Sequence, residues 1–249
     1  MERARRRRLA EQLAAKVQKS RKDVVAVVLF GSVARGDDGP DSDVEIAAVA
    51  RRGDKRAERF VLDGVLFNVY WYTAVGLRGQ MLEPDGDAVR HGFLEGLPLY
   101  DQFDWFARLK RDVADLPPSF YRRSGEEALH QMYEYVCKAR NARRRGDDAN
   151  LVYATGSVGL IARSLVALLN RRHYRSENTM ADEWQGFPDL PRSFRRHVAP
   201  LIGGSASSRV RYDAAMALWR SCLSWAEGHG VTLREVEAIP KVRASKSKW

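Results

Sequence analysis

Only two cysteines occur in 249 residues, which rules out a fold stapled by several disulfides. Cys137 and Cys222 each fall within a helical pattern. No His or Cys stands near either at metal-ligand spacing, so both read as reduced core or interface thiols. No apolar run reaches the roughly 18 residues needed to span a bilayer, and the basic N-terminus leads into an amphipathic pattern, not a signal-peptide core. These two absences point to a cytoplasmic protein without membrane association. No Gly-x-Gly-x-x-Gly fingerprint and no phosphate loop with its lysine follows the first strand-like run, so Rossmann and P-loop nucleotide sites lose their main support. No internal repeat is visible. Acidic residues are in deficit, 32 against 42 Lys and Arg, for a net charge of +10. Residues 1–8 and 241–249 carry +4 each, leaving +2 between them. The basicity is therefore mainly terminal and reads as solvated tails, not as a groove for RNA. Arg143-Arg144-Arg145 and Arg171-Arg172 are further clusters that can attract phosphate, so nucleic acid stays open as a partner without being favoured.

Against that background, residues 24–45 carry an ordered set of signals. Val24 to Phe30 is short, β-branched and bounded by Asp23 and Gly31, the pattern of a buried strand. Gly31 and Ser32 then turn the chain into a short helix beginning near Val33, leaving backbone N–H groups and the Ser32 hydroxyl to meet an anion. A second strand, Val44 to Ala50, follows. Asp43 and Glu45 are two residues apart, so both carboxylates project from one strand face. Paired hard oxygens beside a phosphate-binding turn suit Mg²⁺, which takes few protein ligands and completes its octahedron with water and phosphate oxygens.

Elsewhere the patterns alternate and then become helical. Leu9, Leu13 and Val17, with Ala10 and Ala14 beside them, predict a first helix that packs on the sheet. Phe60-Val61-Leu62 and Val65 to Tyr72 are β-prone runs joined by Asp63-Gly64, a two-residue hairpin turn, so the sheet is expected to be mixed. Beyond Pro117-Pro118, helical patterns cover Glu126 to Arg145, Tyr153 to Asn170, Arg192 to Leu201 and Ser208 to His229. Their core is expected from Leu129, Met132, Val136, Leu160, Leu165, Leu168, Leu218 and Trp225, with Trp219 and Tyr212 also packing. A unit boundary is expected between Asp115 and Ser124. The fold class is therefore α+β: residues 1–115 form a mixed-sheet domain and residues 116–249 an antiparallel helical bundle with a basic tail. On the first bundle helix, His130, Glu134, Lys138 and Asn141 share one face, which by itself reads as a solvated stripe with a Glu-Lys pair.

Gly31-Ser32 with Arg35-Gly36, followed by Asp41-Ser42-Asp43-Val44-Glu45, resembles the signature of the DNA polymerase β-type nucleotidyltransferase superfamily. With Asp38-Gly39-Pro40 included, the stretch Gly31 to Glu45 is more similar to the kanamycin nucleotidyltransferases than to polymerases or poly(A) polymerases. Weaker echoes recur in order at Val69 to Thr73, His91-Gly92, Leu97 to Asp101, Tyr133 to Asn141 and Trp219 to Gly230, so the resemblance covers nearly all of the chain after residue 20.

The resemblance implies a nucleotidyltransferase that moves a nucleoside monophosphate, AMP from ATP, onto a hydroxyl of an aminoglycoside-like small molecule and releases pyrophosphate. It implies Asp43 and Glu45 as ligands of Mg²⁺, Gly31, Ser32, Arg35 and Asp43 as the nucleotide-binding set, Glu134 as general base, Lys138 as a phosphate-neutralising cation, and a homodimer with its sites at the interface. Two positions depart from the family. Asn68 stands where a third active-site carboxylate is expected, and Leu66 where a lysine is. The amide allows three outcomes: a one-metal site, a shifted acceptor pocket or weakened catalysis. A polycationic acceptor needs acidic walls, for which Glu83, Asp85, Asp87 and Glu95 are the candidates, though all four read equally as surface residues. The alternatives are an RNA end or protein side chain as acceptor, a nucleotide-binding protein without turnover, and a helical interaction protein whose sheet is only structural.

Overall fold

Every residue of Val24–Phe30 except the last is buried, and a strand covered on both faces needs apolar residues at odd and even positions alike. This run forms β1, the fourth strand of a five-stranded sheet. The computed structural model describes residues 2–233; the basic segment 241–249 lies outside the described residues. The chain runs α1 (Glu2–Ser20), β1, α2 (Gly31–Arg35), β2 (Val44–Ala50), β3 (Arg56–Leu62), β4 (Val65–Thr73), α3 (Ala74–Leu82), a 3-10 segment Arg90–Glu95, β5 (Leu97–Asp101) and α4 (Trp105–Ala114). Then come α5 (Pro118–Arg145), α6 (Asp148–Leu169), α7 (Met180–Glu183), α8 (Phe194–Ile202) and α9 (Ser208–Gly228).

The sheet order is β3-β4-β2-β1-β5, and it is mixed as expected: β2 pairs with β4 in parallel, while the other pairs are antiparallel. Asp63 and Gly64 both take positive φ, the backbone of the turn that twists with its strands, and set the register Leu62↔Val65. Alternation sorts the strand residues between two layers. Ala10, Ala14 and Val17 of α1 cover Val27, Leu29, Ile46 and Ala48 on one face. Leu77 and Met81 of α3, with Phe106 and Leu109 of α4, cover Val28 and Val49 on the other.

The helices after Pro117 pack around a separate core that includes Leu129, Met132, Val136, Leu165, Leu168, Leu218 and Cys222. Two expected members do not belong to its interior. Leu160 is 44% exposed because the buried stripe of α6 passes through Val158, Ile161, Ala162 and Leu165, one residue away. Trp225 sits at the margin, where its Nε1 donates to Asp189. The helix boundaries also move outward. Pro118 occupies the first turn of α5, where its missing N–H costs nothing, so the helix begins eight residues before Glu126. Asp147 caps α6 by accepting from the Asn150 N–H, so that helix begins at Asp148, not Tyr153.

By length and composition α6 is apolar enough to cross a membrane, contrary to the sequence expectation, yet 72% of its apolar window is buried inside the protein. A helix surrounded by other helices is apolar on most sides for the same reason as one surrounded by lipid. The N-terminal arginines are likewise no solvated tail. They lie on α1, and Arg6 and Asp38, with side chains 5% and 1% exposed, form an ion pair of 3.0 Å. Arg3 adds a 2.7 Å contact to the same carboxylate, and Arg6 also donates to the Pro40 carbonyl. The Gly36–Ser42 loop is thereby tied to α1. Removing Arg6 leaves the buried Asp38 with only the contact from the exposed Arg3, so Arg6→Ala is expected to cost about 3 kcal/mol. Arg7→Ala, which removes only the exposed pair with Glu11, is expected to cost about 0.5 kcal/mol or less; urea unfolding midpoints of the two variants check the contrast.

Candidate active site

Phe30, Glu45 and Asn68 stand side by side on β1, β2 and β4 through the pairings Phe30↔Glu45 and Glu45↔Asn68. Asp43 lies one residue before β2 begins at Val44, near enough for its charge to act on Glu45. Asn68 is 7% exposed, and its Nδ2 donates to Asp43 Oδ2. The position expected to carry a third carboxylate thus supplies a donor that fixes one oxygen of the first. Glu45 has its carboxyl pKa raised, chiefly by burial and then by the charge on Asp43, with Arg35 opposing the rise. Among the described residues no group of three or more His, Cys, Asp or Glu comes together as a metal site. The pair alone still suits a hard divalent cation that asks for only one or two carboxylates.

The turn after β1 is packed directly onto Glu45; Asp43 and Ser32 do not line the cleft beside it. Gly31 has φ +73, and a Cβ built on it would lie 2.1 Å from Glu45 Oε2, so the position takes glycine for both conformation and space. The helix that follows begins at Gly31, two residues earlier than expected. Arg35 bonds Asp37 at 3.1 Å and also donates to the Arg175 carbonyl at 3.4 Å. The Ser32 hydroxyl has no hydrogen-bond partner among the described residues.

Gly31, Arg35 and Glu45 open onto a cleft of about 440 Å³. Tyr72 and α3, through Leu77, Gln80 and Met81, form its apolar side; Arg90 and the segment Arg175–Asn178 form its polar side. The segment lies between α6 and α7, so the helical part of the chain closes the cleft over the sheet. Gly92 allows this closure, because a Cβ there would meet the Arg175 carbonyl oxygen at 2.4 Å. The adjacent His91 is buried, and desolvation pushes its pKa down to about 4, so it is neutral and its ring meets the Met81 carbonyl at 2.9 Å.

Two expectations change here. Glu83, Asp85, Asp87 and Glu95 do not line the cleft. Asp85 pairs with Arg90, Asp87 accepts from the Val89 N–H, Glu83 offers its carbonyl to Arg90, and Glu95 faces His173 at 3.7 Å. The cleft's acids are instead Glu45 and Glu177, and its cations include Arg90 and Arg175, none of the last three legible as site residues in the sequence. Glu134 and Lys138 are also outside the cleft of their own chain. They form an exposed pair of 2.6 Å on α5, with Lys138 4.3 Å above the Tyr135 ring. The neighbouring Glu134 carboxylate raises the Lys138 pKa. His130 turns to the Glu126 carbonyl and Asn141 accepts from Arg144, so this face of α5 is a solvated stripe within one chain.

Comparison with known proteins places this geometry. The KNTase C-terminal domain model matches residues 104–232, more than half of the chain. The chain belongs to the kanamycin nucleotidyltransferase (KNTase) family. The polymerase beta nucleotidyltransferase model matches residues 11–68, from α1 to Asn68. Two aminoglycoside nucleotidyltransferases (4'), from Staphylococcus aureus and a Bacillus species, are each 23% identical over 88% of this chain and 88% of their own. A nucleotidyltransferase-like protein from Exiguobacterium sibiricum has the same fold at 11% identity, with a TM-score of 0.57 over 89% of this chain and 77% of that one. In this KNTase-family enzyme the turn and both strand carboxylates fall inside the polymerase beta match, while the wall formed by Arg175–Asn178 falls inside the KNTase C-terminal match.

The environment of Glu45 has a consequence for stability. A carboxyl whose pKa is raised in the folded state favours folding when protonated, and that contribution is lost as pH rises through the folded value. Glu45→Gln removes the loss. Its thermal midpoint is expected to exceed the parent's by a margin that widens as pH rises above the ordinary glutamate value of about 4.3, measured without divalent ions; a margin independent of pH would contradict the raised pKa. Gly31→Ala is expected to displace Glu45 and to lower nucleotidyl transfer about 100-fold, read in a steady-state assay.

Proposed function

We propose that the protein transfers a nucleoside monophosphate, AMP from ATP, to a hydroxyl of an aminoglycoside, releasing pyrophosphate. The observation that carries this reading is Glu45, with the Asp43 charge beside it, packed against the Gly31 turn in the wall of a cleft that Arg35, Arg90 and Arg175 also line. Anionic phosphates suit those guanidinium groups, which bind in a planar, multidentate manner. The aminoglycoside comes from the names of the two relatives, and a reaction fed by ATP belongs in the cytoplasm.

Asp43 and Glu45 would hold Mg²⁺, which supplies positive charge to the phosphate oxygens and lowers the cost of their crowding in phosphoryl transfer. The chain's own groups do the rest. Asn68 keeps the Asp43 carboxylate in one rotamer, Gly31 sets the distance between turn and Glu45, and Ser32 and Arg35 orient the triphosphate. Deprotonation of the acceptor hydroxyl falls to Glu134, and Lys138 neutralises phosphate charge.

Since Glu134 and Lys138 do not line their own cleft, the reading requires a homodimer in which the partner subunit's Glu134 serves it. Two exposed apolar surfaces are available for such a contact: Phe60, Val61, Leu62 and Leu66 on the β3–β4 hairpin, and Tyr133, Val152, Tyr153 and Leu160 on α5 and α6. Leu66, at the position where the family's lysine was expected, belongs to the first of these.

A second reading, an RNA end as acceptor, is favoured by the three arginines of the cleft and by the few acids there to receive a polycation. Incubation with α-labelled ATP, Mg²⁺, an aminoglycoside panel and short RNAs separates the two by the molecule that acquires the label. Asp43→Asn is expected to abolish transfer, and Glu134→Gln to lower it by about 10²- to 10⁴-fold. Mixing these two inactive variants allows exchange into heterodimers with one intact site each, so about a quarter of the parent rate should return; no recovery would place Glu134 outside the partner's site.

A further inference from the structure

α6 ends at Leu169, and the chain reverses through Arg171, a non-glycine residue held at φ 54. Left-handed backbone is strained for such a residue. The reversal sends Arg171, Arg172 and His173 toward the sheet half of the molecule. There they meet Lys110 of α4 around a second cavity of about 350 Å³, whose apolar floor includes Leu94, Val113 and Leu168. Tyr121 of α5 completes it, close enough to Arg171 for that charge to oppose the rise that burial gives its phenol pKa.

The charges here are unbalanced. Glu95 is the cavity's one carboxylate among the described residues, and it faces His173 at 3.7 Å. Lys110, Arg171 and Arg172 form no ion pair among the described residues. Lys110 lies 4.9 Å over the Phe106 ring and Arg172 5.8 Å over the Phe187 ring, contacts that hold the cationic ends without neutralising them. Arg171 and Arg172 are exposed and Lys110 is half-buried, and three like charges round one concavity give it a positive potential that favours an anion.

The cavity is distinct from the catalytic cleft yet backs onto it. The 3-10 segment Arg90–Glu95 and the strand of chain 171–178 form the shared wall: Arg90, Gly92 and Arg175 face the cleft, while His91, Glu95 and His173 face the second cavity. The Tyr174 N–H bonds the Ala88 carbonyl at 2.7 Å, which closes the wall between them.

We propose that this second cavity is a binding site for a small organic anion, a phosphate or carboxylate on a compact apolar body. Lys110, Arg171 and Arg172 receive the charged head, and Leu94, Val113 and Leu168 the body. The site does not depend on the acceptor or on the nucleotidyl-transfer reading, because none of these residues belongs to the catalytic cleft.

Phenyl phosphate, inorganic phosphate, benzoate and benzyl alcohol are the probes, titrated calorimetrically into the full-length protein with the catalytic cleft filled by a non-hydrolysable ATP analogue and Mg²⁺. Phenyl phosphate or benzoate is expected to bind one per chain, with inorganic phosphate and benzyl alcohol each weaker for want of the body or the charge. Lys110→Met and Arg171→Gly should each weaken binding about tenfold or more, and Lys110→Arg should retain it. Arg171→Gly relieves the left-handed strain, so its fold is preserved and a loss of binding cannot be ascribed to unfolding. Binding that is displaced by the nucleotide analogue or lost in Arg35→Ala would assign the anion to the catalytic cleft and overturn the proposal, as would affinities unchanged in both charge-removing variants.

Discussion

Two carboxylates beside each other at the start of one strand repel, and partial burial strengthens that repulsion while removing the water that would relieve it. Much of the N-terminal half is arranged around this unfavourable pair. Asn68 donates to Asp43 from the neighbouring strand, Arg35 opposes the charge on Glu45, and the glycine after β1 lets the backbone come within reach of the Glu45 oxygen. The loop between α2 and β2 is held from outside by Arg3 and Arg6 of α1, which grip Asp38. Two like charges are thus kept in place by contacts from three separate elements, α1, α2 and β4. Such an arrangement stores an electrostatic cost that a bound cation can relieve, the usual trade between stability and function at a site.

The cleft itself belongs to neither half alone. The sheet contributes the acids and the turn; the helical part contributes the strand of chain that carries Arg175. Their meeting depends on Gly92 passing against the carbonyl of Arg175, a contact between backbones that leaves no room for a side chain. This explains why the cleft's polar wall comes from residues separated by more than eighty positions in the chain. It also makes the wall thin, with a different chemical environment on either side.

Sequence patterns carried the sheet well, because they rest on local periodicity. The apolar run of β1, the nearness of Asp43 to Glu45, and the Asp63-Gly64 turn were each legible from a few adjacent residues. Arg90, Arg175 and Glu177 were not, since nothing local marks a loop residue for a cleft that only tertiary packing creates. The acidic residues 83–95 misled for the complementary reason: their carboxylates and carbonyls are consumed by loop hydrogen bonds that periodicity does not report. Leu160 was misplaced by one position, a small error in phase that carries a helical residue about 100° round its axis. The N-terminal arginines looked like a tail because charge counts do not reveal a buried partner such as Asp38.

The apolarity of α6 also bears on how the chain is made. This helix is covered by α5 on one side and by α8 and α9 on the others, and α9 begins only at Ser208. During synthesis, then, a segment with the hydrophobicity of a membrane span leaves the ribosome well before the residues that bury it. Until α9 arrives, α5 and α6 can pair but leave an oily flank open to chaperones, aggregation partners or the insertion machinery. The order of the elements therefore makes α9 the helix that completes the cover of α6, and an interruption of translation ahead of it leaves part of that apolar surface open.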